Sequence, residues 1–249
     1  MDSEKDWSRE EKDECQPLPT HQNYHPQKLA HGASALLHCR LASTLVVTSE
    51  MELGGLKYAR NRAEPGLLSV EELIDRQASN IENPVVLLSV NPVAYQKGVL
   101  GAVKYFSERF GLGLYITLNK PFASLQGAFD KDGLAPGSLV YLDSITNTAE
   151  CRTKSCHFLG RMRELTDLCI ALARMVSEEK GVKFVFVDSV STLLIYNDSK
   201  SVARFCHSVT EKLRSAGLPA ALVFVEMEEG KDVVAQLAQF CDVYVKAVS

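Results

Sequence analysis

The sequence predicts an α/β protein with a mainly parallel sheet and helices on both faces. Three observations predict it. Short apolar runs alternate with helix-like segments over about 180 residues, and parallel strands need such crossover helices. The runs Val85–Val90 and Val182–Val187 are strongly apolar, interrupted only by Ser89 and Lys183, as in strands buried on both faces. The chain has 249 residues, 46% hydrophobic and 23% charged, enough for a large core without disulfides or a structural metal.

The elements follow in order. Residues 1–65 form an N-terminal extension whose first 30 residues are polar, acidic and rich in His, Gln and Pro, which predicts disorder there. Ala35 to Val47 fits a short helix or a strand, with Leu45-Val46-Val47 favouring the strand; Gly54-Gly55 and Pro65-Gly66 read as turns. An α/β domain is expected over 66–249. Ser69 and Glu72 have capping-box spacing and open a helix to about Ile81, which Asn83-Pro84 stops. Val85–Val90 is the first core strand, then a helix from Tyr95 to Phe110 ended by Gly111 and Gly113. Leu114–Leu118 is a strand, Pro121 starts a helix through Phe129, and Lys131-Asp132-Gly133 is a turn. Strands at Leu139–Leu142 and Cys156–Leu159 precede a helix over 164–179. Val182–Val187 is a strand, 199–216 an amphipathic helix, Ala221–Val225 a strand, Val233–Phe240 a helix and Val243–Val245 the last strand.

Composition excludes several classes. No stretch approaches the roughly 18 apolar residues of a membrane span. The start of the chain is charged and lacks an apolar signal core, so a cytoplasmic protein is expected. Seven cysteines, an odd number in apolar settings, suit reduced thiols. The net charge is −4, and residues 2–14 alone carry seven acids against three bases. The rest is near neutral, which argues against nucleic acid as a partner.

Polar residues gather where strands end, the position at which open α/β sheets bind ligands. After Val85–Val90 comes Asn91-Pro92-Val93-Ala94-Tyr95-Gln96-Lys97-Gly98. Against the phosphate-loop pattern, Asn91 and Gln96 replace the glycines, Lys97 falls on the lysine, and Gly98 replaces the Mg²⁺-binding hydroxyl. Pro92 lacks a donor N–H. The plain alternative is an ordinary strand-to-helix turn with a solvated Lys97. Val185-Phe186-Val187-Asp188-Ser189 is an apolar strand capped by an acid, the arrangement that positions Mg²⁺ in phosphoryl-transfer sites; the alternative is an Asp188 that caps a turn or helix. Leu142-Asp143-Ser144 repeats that pattern, and Glu226, Glu228 and Glu229 follow a third strand. If these strands are neighbours, the edge is acidic with Lys97 as its main opposing charge.

The segment from Phe186 to Asn197 resembles the Walker-B region of the RecA/KaiC-like ATPase superfamily. Asn91-Pro92-x-x-Tyr95, Tyr115 to Pro121, Leu165 to Leu168 and the surroundings of Asp188 resemble more closely a mainly prokaryotic branch with a decayed phosphate loop. The resemblance covers about 66–249. It implies a three-layer α/β/α RecA-like P-loop fold. It also implies a degenerate nucleotide site made of Asn91, Tyr95, Gln96, Lys97, Gly98 and Asp188, with Asp188 as the candidate Mg²⁺ ligand and ATP/Mg²⁺ as the candidate ligand. In active members a catalytic glutamate follows the strand that here ends at Leu118. This chain has Asn119 and Lys120 instead, neither a carboxylate base.

The remaining candidates read more plainly. Cys15, His21, His25, His31, His38 and Cys39 match no standard zinc spacing. Cys151 and Cys156 flank a loop, with Cys156 read as a core thiol; Cys169, Cys206 and Cys241 also read as core. Ser144, Ser189 and Ser191 are polar groups at strand ends, and His157 and His207 are expected on helices or loops. The expectation is a non-hydrolysing RecA/KaiC-like domain, without catalytic residues, acting as a regulatory or scaffolding module through a protein partner or self-association. The alternatives are a divergent Mg²⁺-dependent ATP-binding protein using Lys97 and Asp188, and a recombination accessory protein binding single-stranded DNA.

Overall fold

The structure, a computed structural model, describes residues 16–17, 58–60, 68–148, 151–160, 164–227 and 230–247. The candidate zinc ligands and the ambiguous stretch 35–47 lie outside the described residues. In chain order the elements are β1 (Gln16–Pro17), β2 (Tyr58–Arg60), α1 (Val70–Ala78), β3 (Val85–Val90), α2 (Tyr95–Phe110), β4 (Gly113–Thr117), α3 (Phe122–Lys131), β5 (Leu139–Asp143), β6 (Cys151–Arg152), β7 (Cys156–Phe158), α4 (Leu165–Glu178), β8 (Phe184–Asp188), α5 (Val190–Leu193), α6 (Ser199–Ser215), β9 (Ala220–Val225), α7 (Lys231–Ala238) and β10 (Val243–Ala247).

The strands form one sheet in the order β1-β6-β7-β5-β4-β8-β9-β3-β10-β2. From β7 to β2 every pairing is parallel; β6 is antiparallel to both its neighbours. The chain has the three-layer, mainly parallel α/β/α architecture that its alternating pattern predicts.

Burial on both faces explains the strongly apolar runs. In β3, Val85 and Leu87 enter one core with residues of α4, α6 and α7. Val86, Leu88 and Val90 enter the other with residues of α1, α2 and α3. Period-two alternation therefore persists, but each face meets an apolar partner. Local chemistry sets the ends. Ser69 Oγ accepts the Glu72 N–H at 3.2 Å and the Glu72 carboxylate accepts the Ser69 N–H at 2.7 Å, the capping box read from sequence. Gly111 ends α2 at φ 98°, and a Cβ on Gly113 would lie 2.1 Å from the Phe184 ring.

The structure corrects several details. His157 lies on a strand, β7, and is buried; His207 is on α6 as expected. Cys151 and Cys156 belong to two paired antiparallel strands that the sequence reading did not separate. Cys156, Cys206 and Cys241 are buried, whereas Cys169 is only half-buried against its core. Burial pushes the Cys156 and Cys206 thiols up, and that of Cys241 up to about 12, so these cysteines are not reactive thiolates.

Candidate functional site at the carboxyl edge

Strand order and helix placement locate the crevice. The helix after β4 packs on one face of the sheet, and those after β8 on the other. Since β4 and β8 are neighbours, the connections diverge between them, which makes a topological switch point. A second one lies between β3 and β9 for the same reason. Asp188 ends β8 at the first, in register with Thr117 of β4.

Asp188 is fully buried. Its Oδ2 accepts hydrogen bonds from the hydroxyls of Tyr95 and Tyr115. Its Oδ1 is buried with no hydrogen-bond partner. Asn119 Nδ2 donates to the Tyr95 hydroxyl oxygen at 3.0 Å, which leaves the Tyr95 proton for Asp188. The Lys120 ammonium lies 4.8 Å from the Tyr95 ring centroid. Burial pushes Asp188 above the usual carboxylate range; the two tyrosine hydroxyls and the Lys120 charge oppose it. Burial and the Asp188 charge push both tyrosines up, so they stay protonated donors.

The β3–α2 loop is short. Asn91 Oδ1 accepts the Ala94 N–H at 2.7 Å and closes the four residues 91–94 into a tight turn. Gln96 and Lys97 are exposed on the first turn of α2, while Tyr95 points back to Asp188. Gly98 is buried, and a Cβ there would meet Val90 Cγ1 at 3.1 Å, so this glycine lets α2 lie close to β3. Of the six residues singled out from sequence, the geometry brings Tyr95 and Asp188 together. Asn91 shapes the loop, Gly98 packs, and Gln96 and Lys97 face outward.

The acidic edge is arranged differently from the expectation. The Asp143 and Asp188 strands are not neighbours, because β4 lies between them. Lys97 is not the main opposing charge. Lys246 Nζ pairs with Glu226 Oε1 at 2.7 Å, Ser89 Oγ donates to the same oxygen at 3.1 Å, and Lys120 is the cation that acts on Asp188. Tyr115, Asn119 and Lys120 were missed as members of the site. A tyrosine inside a buried strand was the available signal, since a buried hydroxyl must find a partner.

With this geometry in place, comparisons with known proteins add little chemistry. Residues 147–247 match the model of a family of unknown function (DUF7504). That stretch contains β6 to β10 and the Asp188 half of the cluster, but not Tyr95 or Tyr115. No curated protein matches the chain. Among solved structures, the chain is similar to a KaiC-like protein from the archaeon Pyrococcus horikoshii, with 13% identity, 66% of this chain and 72% of that chain covered, and a TM-score of 0.46.

Proposed function

We propose that this chain is a non-hydrolysing RecA/KaiC-like domain that works by binding, as a regulatory or scaffolding module. The observation that carries this reading is the closure of Asp188 by Tyr95 and Tyr115. A Mg²⁺ ligand must offer an accessible oxygen. Here one oxygen serves two phenols and the other is buried. A phosphate cradle needs successive N–H groups lining a wide loop, whereas residues 91–94 form a closed turn that contains Pro92. The residues as arranged do not fit a Mg²⁺–nucleotide.

The rim supports protein contact instead. Val93, Ile145, Ile195 and Tyr196 follow the carboxyl ends of β3, β5 and β8 and are exposed, Val93 and Tyr196 by more than four-fifths. Apolar side chains at the place where a polyphosphate would enter suit a protein surface.

Calorimetry with ATP or ADP and Mg²⁺ tests the reading. No saturable binding is expected at millimolar nucleotide for the wild type or Lys97→Ala. Saturable binding abolished by Lys97→Ala, or ATP hydrolysis dependent on Lys97 and Asp188, would overturn it in favour of a divergent ATPase.

A further inference from the structure

A cleft of about 530 Å³ opens at the opposite, amino edge of the sheet, between the C-terminal end of α4 and the starts of β8 and β9. Arg109, Lys180 and Lys183 line it. Lys180 and Lys183 are exposed and pair with no carboxylate among the described residues. The Arg109 guanidinium is held by the carbonyls of Ala78, Ser79 and Ile81, at 3.0–3.1 Å, which orient it without cancelling its charge. The one carboxylate in the lining, Glu179, is engaged from outside by Arg152 and by His157. Phe110 and Val176 add apolar surface.

We propose that the acidic segment 2–14 of the same chain docks in this cleft. Its charge is complementary: seven acids against three bases. Its approach is set by the sheet. β1 is antiparallel to β6, which is antiparallel to β7, so β1 runs with the central strands and its first residue, Gln16, faces the amino edge. Gln16 is the register partner of Arg152, the residue that grips Glu179 on the cleft wall. The span is within reach. β8 is five strand positions from β1, roughly 24 Å at about 4.8 Å per strand. Thirteen residues extend to roughly 43 Å. Trp7, the single tryptophan of the chain, lies mid-segment and supplies an aromatic ring for Phe110 and Val176.

Because Trp7 is the only tryptophan, its fluorescence reports on this segment alone. Acrylamide quenching of Trp7 in the full chain is the test, at low salt and at about 1 M salt, where screening shrinks to about 3 Å. The quenching constant is expected to rise about twofold or more with salt, and by a similar factor at low salt in Lys180→Glu/Lys183→Glu. Both lysines are exposed, and an unchanged urea midpoint confirms that the variant folds. Carbodiimide cross-linking of mixed isotope-labelled and unlabelled wild type gives the location. Links from Glu4, Asp6, Glu10 or Glu11 to Lys180 or Lys183 within one copy are expected. Quenching indifferent to salt and to the lysines overturns the proposal. So do links only to other lysines, or links only between copies, which would make a second copy the occupant.

Discussion

Asp143 and Asp188 end strands on either side of β4, both in register with Thr117, and both are fully buried. Each is followed by serine and preceded by an apolar run. Their chemistry is opposite. Asp143 accepts the N–H groups of Phe122, Ile145 and Thr146 at 2.7–2.8 Å and the Thr146 hydroxyl, so both oxygens are satisfied. It closes its own turn and caps α3. Asp188 accepts only two phenols from distant segments and leaves one oxygen bare. The first carboxylate holds local backbone; the second joins three elements and carries an unmet desolvation cost.

That contrast can be broken by substitution. The largest effect is expected at Asp143→Ala, which orphans three part-buried N–H groups at the start of α3 and in the turn, and costs roughly 3–5 kcal/mol. Asp188→Ala removes a poorly solvated charge but leaves the buried Tyr115 hydroxyl without an acceptor, and is expected to cost about 2–3 kcal/mol. Urea unfolding of the two variants ranks them, and a larger loss at Asp188 would reverse the assignment of roles.

Tyr115→Phe is next. It deletes one donor to a buried carboxylate, and the loss should be roughly 1.5–2 kcal/mol by the same measurement. The phenol's value depends on the acceptor's charge, so the loss is expected to shrink at acid pH as Asp188 protonates.

The pH dependence sharpens the comparison. Asp188 binds its proton more tightly in the fold than when unfolded. Its contribution to stability is complete below the ordinary carboxylate value of about 3.9 and is lost as pH rises through the raised folded value. Urea midpoints measured across this range should therefore fall with pH more steeply in the wild type than in Asp188→Asn. Equal slopes would show that Asp188 titrates normally.

The smallest effect is expected at Lys120→Met, which keeps the length of the side chain but removes the cation near Asp188 and over the Tyr95 ring. About 0.5–1 kcal/mol is expected at neutral pH, and less once Asp188 is protonated. A loss unchanged across pH would mean that Lys120 acts by packing alone.

Most of the fold was legible. Helix α2 and strand β3 coincide with their expected bounds, and the other expected core elements shift by up to three residues at their ends. Strand β7 was legible, but its hairpin partner β6 was not, because a two-residue strand carries no periodicity. The site was half legible. Asp188 and Tyr95 stood out from motif positions, but nothing near Asp188 in sequence marks Tyr115 as its partner, and Lys97 drew attention that belongs to Lys120.

The sequence by itself determined what depends on a few neighbouring residues or on their period: the α/β alternation, the Ser69–Glu72 capping box and the Asn91 turn, each closed within three residues. Tertiary structure alone decided the fate of Asp188, whereas Asp143 makes most of its bonds within three residues. Tyr115 and Tyr95 reach Asp188 from 73 and 93 residues away, and only because the sheet sets β4 beside β8 with α2 leaning over their ends. A carboxylate's charge, partners and accessibility are properties of the space around it. Identical Asp-Ser strand ends become a satisfied turn at β5, where Ile145 and Thr146 fold back onto Asp143, and a tyrosine-sealed acid at β8, where only side chains from β4 and α2 reach the Asp188 carboxylate.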